Sequence, residues 1–160
     1  MPHIHEKIDF TASVFIVNGE AVLLRKHEKF NQWLQPGGHV ELDEDPAEAA
    51  IREAKEETGL DVTLVGVRPS GFDTATFRHV LTPRFMNRHS FKLKPGHEHI
   101  DCVYFGMASH RDTMPGDDAG VHEKSAEMRW FTREELGDPQ WGLWSETVYY
   151  AKAALDALSS

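Results

Sequence analysis

The sequence contains very little cysteine, with Cys102 as the single thiol among 160 residues. One thiol cannot form an internal disulfide, and chains without disulfides are typical of a reducing compartment. No apolar run approaches the roughly 20 residues that a membrane helix requires. Residues 1–6 also lack the basic segment and apolar stretch of a secretory signal. We therefore expect a cytoplasmic protein that does not associate with a membrane.

Positive charge is also scarce, because 17 Lys and Arg residues stand against 26 Asp and Glu residues, giving a formal net charge of -9. Proteins that bind nucleic acid polymers usually carry a basic surface that displaces counterions from phosphates. We therefore expect no nucleic acid polymer as a partner. The acidity itself has two interpretations, solubility or a cluster of carboxylates that holds cations. The length and the 40% hydrophobic content predict one domain over residues 1–160.

Predicted strands and helices interleave along the chain. The residue patterns predict strands at 10–17, 20–26, 60–67, 101–108 and 128–131, and helices at 46–58 and 143–158. Asn18-Gly19 predicts a tight hairpin turn between the first two strands. Residues 33–38 and 68–97 contain prolines and glycines that predict irregular structure, with short strands in the second segment. This order predicts an α/β (α+β) fold, with helices on the faces of a mixed sheet.

The helix predicted at 46–58 has clear start and stop signals. Asp45 is a suitable N-cap, Pro46 suits the first helical position, and Glu48 completes a capping-box spacing. Gly59 is a typical left-handed terminator. A helical wheel predicts a packing face of small and apolar residues, formed by Ala47, Ala50, Ile51, Ala54 and Thr58.

Three glutamates share the neighbouring arc of this helix. Glu53, Glu56 and Glu57 have the i, i+3, i+4 spacing that brings side chains together, and like charges so placed destabilise a helix by roughly 0.2–0.5 kcal/mol per pair. A bound hard cation such as Mg²⁺ would reverse the sign of this interaction. The alternative, a solvated acidic face paired with Arg52 and Lys55, stays open on helical geometry alone.

The flanking residues extend this helix into a longer motif. The segment reads Gly38-x5-Glu44-x7-Arg52-Glu53-Ala54-x-Glu56-Glu57-x-Gly59-Leu60. It resembles the signature of the Nudix (MutT-like) hydrolases at every charged and glycine position, and Ala54 replaces a larger aliphatic residue. The resemblance implies an α/β/α sandwich around a mixed sheet. It also implies hydrolysis of a diphosphate linkage in a nucleoside diphosphate joined to another group, with Mg²⁺ as the cofactor and Mn²⁺ as a substitute.

The resemblance also implies roles for individual residues. It predicts four metal ligands, three of them carboxylates and the fourth a backbone carbonyl: Glu53, Glu56, Glu57 and Gly38. Arg52 would orient Glu53 by a charge-assisted hydrogen bond, and Glu44 would support the site. On the ligand assignment, Glu57→Gln is expected to abolish turnover with little change in the thermal melt.

Other candidates lie outside the motif. Glu53 is the first candidate for the general base, and Glu98 and Glu123 are the alternatives. Arg25 is the best candidate to bind substrate phosphates, against the alternative of an ordinary surface arginine. His97 and His99 share one face of an extended segment and are interpreted as a strand end that faces a pocket or solvent. His3 and His5 are interpreted as surface residues.

The substrate stays open within this reaction class. The proline and tyrosine that mark ADP-ribose and diadenosine polyphosphate hydrolases in the family are both absent from residues 75–77. A nucleotide sugar or ADP-ribose is one possibility, and a nucleoside triphosphate, which would make the chain a MutT-like pyrophosphohydrolase, is another. A non-catalytic nucleotide-sensing module is the alternative from a different class. Homodimers occur in the family, so a homodimer is also open.

Overall fold

The computed structural model describes residues 5–114 and 126–159, so His3 and Glu123 lie outside the described residues. The strands are β1 (Ile8–Asn18), β2 (Ala21–His27), β3 (Gln32–Leu34), β4 (Gly37–His39), β5 (Val62–Val65), β6 (Phe85–Ser90), β7 (Glu98–Ala108) and β8 (Met128–Thr132). The helices are α1 (Pro46–Thr58), α2 (Arg133–Leu136) and α3 (Ser145–Leu158), and a 3-10 turn covers Pro139–Trp141. Among these residues, no helix is long and apolar enough to cross a membrane.

One mixed sheet contains all of the described strands. Its main path runs β3-β2-β1-β7-β5, and β4, β6 and β8 pair with β1, β7 and β2 respectively. β1 and β7 are parallel over ten residue pairs, and the other pairings are antiparallel. The long apolar strands β1 and β7 lie at the centre because both of their faces are covered. The predicted mixed sheet is confirmed.

Alternate residues of β1 point to opposite faces of the sheet, and each face carries its own core. Val14 and Ile16 pack with Ala50 and Ala54 of α1. On the other face, Phe15 and Val17 pack in a cluster with Ala151 and Leu155 of α3. The sheet is therefore enclosed between helices, as the α/β/α interpretation predicted.

Among the differences from the predicted elements, two concern β3, β4 and β7. Residues 33–38 were expected to be irregular, but β3 and β4 form on either side of Pro36, because their backbone groups pair with β2 and β1. β7 begins at Glu98, three residues earlier than predicted, because residues 98–100 continue the parallel ladder along residues 8–10 of β1.

The signals that delimit α1 are confirmed. Asp45 and Glu48 form the capping box, and Gly59 ends the helix with φ of 76°. The predicted packing face is partly wrong, since Ile51 is exposed and Ala49 is buried. The cluster that buries Ala49 includes Leu81, from the segment between β5 and β6. This segment therefore packs against the same core cluster as the helix.

Candidate functional site

Arg52 is the hub of the glutamate cluster. Its guanidinium donates to both carboxylate oxygens of Glu44, at 3.0 and 2.7 Å, and to one oxygen each of Glu53 at 2.9 Å and Glu56 at 3.2 Å. It also donates to the backbone carbonyl of His39 at 3.1 Å. The hydrogen bond to Glu44 raises the pKa of Arg52 above its ordinary value. The permanently charged guanidinium of Arg52 thus holds two glutamates of α1 and the loop before the helix together.

Glu44 anchors the loop that leads into α1. Besides its contact with Arg52, its carboxylate accepts a hydrogen bond from the Glu41 backbone N–H at 2.9 Å. Burial acts to raise the pKa of Glu44, but the hydrogen bonds from Arg52 and Glu41 outweigh it and hold the pKa below the ordinary value. Glu44 is therefore ionised at neutral pH and supports the site through Arg52.

Gly38 brings the backbone of β4 into contact with the Glu53 carboxylate. A Cβ atom at residue 38 would lie 2.3 Å from Oε1 of Glu53, which is far inside van der Waals contact. Only glycine leaves room for this approach. The predicted ligands Glu53, Glu56 and Gly38 are therefore close together, and they all offer oxygen atoms.

Glu57, the next residue after Glu56 in α1, forms a buried ion pair with Arg25. The Glu57 carboxylate is 3.1 Å from Nη1 of Arg25, and both side chains are buried, with 5% and 3% of their surface exposed. The predicted metal ligand and the predicted phosphate-binding residue are thus brought together. Because Glu57→Gln would break a buried ion pair, we expect it to lower the thermal melt, in contrast to the expectation from the sequence.

Glu98 is not brought to the glutamate cluster. Gly38 of β4 pairs with Ala12 of β1 across the sheet, and Ala12 pairs in turn with Cys102 of β7. Glu98 lies four residues before Cys102, which is about 13 Å along the strand. It forms a two-pronged ion pair with Arg88 at 2.8 and 2.7 Å, and the hydrogen bonds from Arg88 lower its pKa. Glu98 is therefore remote from Glu53 along the sheet.

Four polar residues form a second group that the sequence interpretation missed. His97 and His99 were interpreted as facing a pocket or solvent, but they are buried, with exposures of 1% and 7%. They lie next to Asp9 and His39, whereas His5 is exposed, as predicted. The pattern of alternate histidines was visible in the sequence, but its partners come from β1 and β4, which only the strand register brings near.

The comparisons with known proteins agree with this arrangement. A family model for the NUDIX domain matches residues 7–151. The crystal structure of a NUDIX-family hydrolase from Clostridium perfringens is 34% identical in sequence, with a TM-score of 0.80 over 94% of this chain and 98% of that one. A MutT NUDIX hydrolase from Burkholderia pseudomallei has a TM-score of 0.60 at 22% identity, over 96% and 100% of the two chains. The second likeness supports the fold alone.

Curated relatives with assigned activities match less completely. An RNA pyrophosphohydrolase from Methylococcus capsulatus is 28% identical over 142 residues, which is 87% of this chain and 68% of the relative. An m7GpppN-mRNA hydrolase from Xenopus laevis is 34% identical over 88 residues, which is 51% of this chain and 30% of the relative. The chain therefore matches less than a third of the length of the frog protein.

Proposed function

Because the chain belongs to the NUDIX hydrolase family, whose members act on phosphoanhydride bonds, we propose that it cleaves the diphosphate of a nucleoside diphosphate linked to another group, with Mg²⁺ as its cofactor. A nucleotide sugar and ADP-ribose are the first candidates for the substrate. The observation that supports this proposal best is the Arg52 network. It gathers Glu53 and Glu56 on one side of α1, against the backbone of Gly38.

The residues present suit a hard divalent cation, the kind of cofactor that is typical of the family. The candidate ligands are three carboxylates and a backbone carbonyl, from Glu53, Glu56, Glu57 and Gly38, and Mg²⁺ prefers such oxygen donors. The absence of a side chain at Gly38 leaves its backbone exposed to Glu53. A divalent cation bound there would neutralise charge on the diphosphate and lower the pKa of the attacking water.

Individual residues of the protein have separate roles in the proposed reaction. Glu53 is the proposed general base, because its carboxylate is held in place by Arg52 at 2.9 Å and a base must be positioned as well as ionised. Arg52 is a positioning residue, since it acts through the glutamates that it contacts. Arg25 is buried against Glu57, so we assign it to positioning Glu57 and leave phosphate binding as a secondary role.

The names of the relatives widen the range of substrates to test. They include an RNA pyrophosphohydrolase, an mRNA cap hydrolase and a bis(5'-nucleosyl)-tetraphosphatase from Rattus norvegicus, which is 34% identical over 61 residues. A MutT-like activity on nucleoside triphosphates is the second candidate function. It rests on the same glutamate cluster and differs only in the group that leaves.

A substrate panel tests the proposal. Product release is measured from ADP-ribose, UDP-sugars, nucleoside triphosphates, dinucleoside polyphosphates and 5'-triphosphorylated RNA, each with Mg²⁺, with Mn²⁺ and with a chelator. Glu53→Gln is compared with Glu134→Gln, an exposed glutamate of α2. We expect metal-dependent turnover of at least one diphosphate-linked nucleotide, lost in Glu53→Gln and kept in Glu134→Gln.

Three outcomes would contradict parts of the proposal. Turnover that survives the chelator would exclude the metal requirement. Full activity of Glu53→Gln would remove Glu53 from the reaction. Tight binding of one nucleotide without turnover of any would favour the sensing module.

A further inference from the structure

A second cluster of metal-binding side chains lies on the opposite face of the sheet from α1. Asp9 and Thr11 share a face of β1 with Phe15, which packs towards α3. Asp9 pairs with His99 of β7 across the sheet, and Thr11 pairs with His39 of β4. Single ligand atoms of Asp9, His39 and His99 all lie within 4.8 Å of one another.

His97 extends this cluster, and a hydrogen bond to the backbone indicates which of its ring nitrogens carries a proton. Its Nδ1 atom is 2.9 Å from the backbone carbonyl of Glu6. A carbonyl can only accept, so Nδ1 carries the proton and Nε2 of the neutral ring is an acceptor. This Nε2 atom nevertheless lies 3.2 Å from Oδ2 of Asp9. An acceptor nitrogen and a carboxylate at this distance repel each other unless a proton or a metal ion lies between them.

His39 converges on the same carboxylate oxygen. Its Nε2 atom is 3.5 Å from Oδ2 of Asp9. Ligands at about 2.0–2.1 Å from a tetrahedral Zn²⁺ ion are separated from each other by about 3.3 Å. The 3.5 Å between His39 and Asp9 matches this spacing, and so does the 3.2 Å between His97 and Asp9.

We propose that Asp9, His39 and His99 form a binding site for a transition-metal ion of the Zn²⁺ class, separate from the glutamate site. Two imidazoles and one carboxylate are a ligand set for borderline ions, whereas the glutamates and the Gly38 carbonyl suit hard ions. His97 is the nearest candidate for a fourth ligand, because its other nitrogen is held by a carbonyl, as is usual for metal-binding histidines.

The site has a consequence for the glutamate cluster. His39 follows Gly38 in the three-residue strand β4, and its carbonyl accepts a hydrogen bond from Arg52. An ion held by Asp9, His39 and His99 joins β4 to β1 and β7 through side chains, in addition to the backbone pairing. It therefore fixes the strand that carries Gly38.

Cobalt binding tests the proposal without reference to enzymatic activity. The purified protein is stripped with a chelator and titrated with Co²⁺ in excess Mg²⁺, so that Mg²⁺ competes for the glutamate site. Visible absorption and elemental analysis report the geometry and the stoichiometry. We expect one Co²⁺ per chain, with affinity reduced at least 100-fold in His99→Gln and in His39→Gln.

Two control variants separate this site from other metal-binding groups. Glu57→Gln alters the glutamate site, and His110→Gln removes an exposed histidine outside the cluster. Both should keep the Co²⁺ site. Zn²⁺ should raise the melting temperature of the parent chain and of both controls by mass action, and should leave that of His99→Gln unchanged.

Several results would overturn the proposal. The first is the absence of Co²⁺ binding in excess Mg²⁺, which would mean that protons alone join the histidines to Asp9. The second is binding that persists in both His99→Gln and His39→Gln. The third is binding that disappears in Glu57→Gln, which would place the ion at the glutamates. Melts of the stripped proteins identify any variant that fails to fold, and Asp9→Asn then takes its place.

Discussion

At the scale of single residues, two arginines explain how neighbouring glutamates can share one turn of α1. Arg52 offsets the charges of Glu53 and Glu56, and Arg25 offsets that of Glu57. The repulsion that the helical wheel predicts is therefore partly compensated within the protein, since Arg52 also pairs with Glu44. Arg52 pairs with two of these glutamates, as the acidic-face interpretation predicted, whereas Lys55 pairs with Asp61. The cation site stays a prediction.

The geometry of Arg52 predicts that lysine cannot replace it. A guanidinium offers five donors in a fixed fork, whereas an ammonium is a single point charge, and Arg52 uses its fork on Glu44, Glu53, Glu56 and the His39 carbonyl. We expect Arg52→Lys to lose about 10–100-fold in divalent-metal affinity or turnover. Arg133→Lys, at an exposed arginine that pairs with Asp156, is the control. Equal Mn²⁺ affinity in the two variants, measured by electron paramagnetic resonance, would contradict the role of Arg52.

A methyl group at residue 38 is predicted to reduce activity without unfolding the protein. The Cβ atom of Gly38→Ala would lie 2.3 Å from Oε1 of Glu53, and the carboxylate is the flexible end of a side chain that can move away. The displacement should reduce turnover at least tenfold and change the melting temperature little. Gly137→Ala is the matched control, since its nearest atom would be at an ordinary 3.5 Å. A Gly38→Ala variant with normal turnover would show that the position of Glu53 is not critical.

Burial changes the expectation for Glu57→Gln. The substitution removes the charge beside the buried Arg25 guanidinium, and breaking a buried ion pair by removing one partner costs about 3–5 kcal/mol. We therefore expect loss of turnover together with a lower free energy of unfolding, by about 3–5 kcal/mol. Chemical denaturation of the metal-free protein measures this. An unchanged free energy of unfolding would mean that the ion pair contributes nothing to stability.

At the scale of elements, the entry to α1 is predicted to depend on pH through Glu44. The hydrogen bonds from Arg52 and Glu41 hold the pKa of Glu44 below its ordinary value of 4.5. A carboxyl with a depressed pKa contributes stability above that ordinary value and loses it as the pH falls through the folded pKa. The parent chain should therefore exceed Glu44→Gln in stability at pH 7, and the difference should shrink as the pH falls from about 4.5 to lower values.

Urea midpoints at a series of pH values check this prediction, with Glu134→Gln as the exposed control. A difference between Glu44→Gln and the parent that stays constant with pH would show that the Glu44 charge does not contribute. An identical pH dependence for Glu44→Gln and Glu134→Gln would lead to the same conclusion.

The elements differ in how far the sequence determines them. The ends of α1 follow from Asp45, Glu48 and Gly59, which act on their own backbone neighbours, so local sequence is enough. β3 and β4 are only three residues each, and they exist because β2 and β1 offer them hydrogen-bonding partners. Ile51 and Ala49 show the same limit, since Ala49 is buried in a cluster that draws on several distant segments while Ile51 is exposed. Contacts between distant segments cannot be derived from local propensity.

At the scale of the whole molecule, the two candidate sites differ in how visible they are in the sequence. The glutamate site is contained in one motif of 23 residues, so its members could be listed before the fold was known. The Asp9, His39 and His99 cluster takes one residue from each of β1, β4 and β7. Its assembly requires the register of the parallel β1–β7 ladder, which the sequence pattern alone does not fix.

The two cores on opposite faces of the sheet predict that stability and turnover can be separated. Leu155 of α3 is buried against the face that points away from α1. Its replacement by alanine should lower the free energy of unfolding by about 2–5 kcal/mol, the usual cost of such a cavity. Because the glutamate cluster lies on the α1 side, turnover per folded molecule should stay unchanged.

Leu93→Ala makes the same chemical change at an exposed leucine and should cost less than about 0.5 kcal/mol. Urea denaturation and turnover measured below the unfolding transition test both parts. A loss of turnover in folded Leu155→Ala would show that α3 also determines the geometry of the glutamate cluster, through the sheet between them.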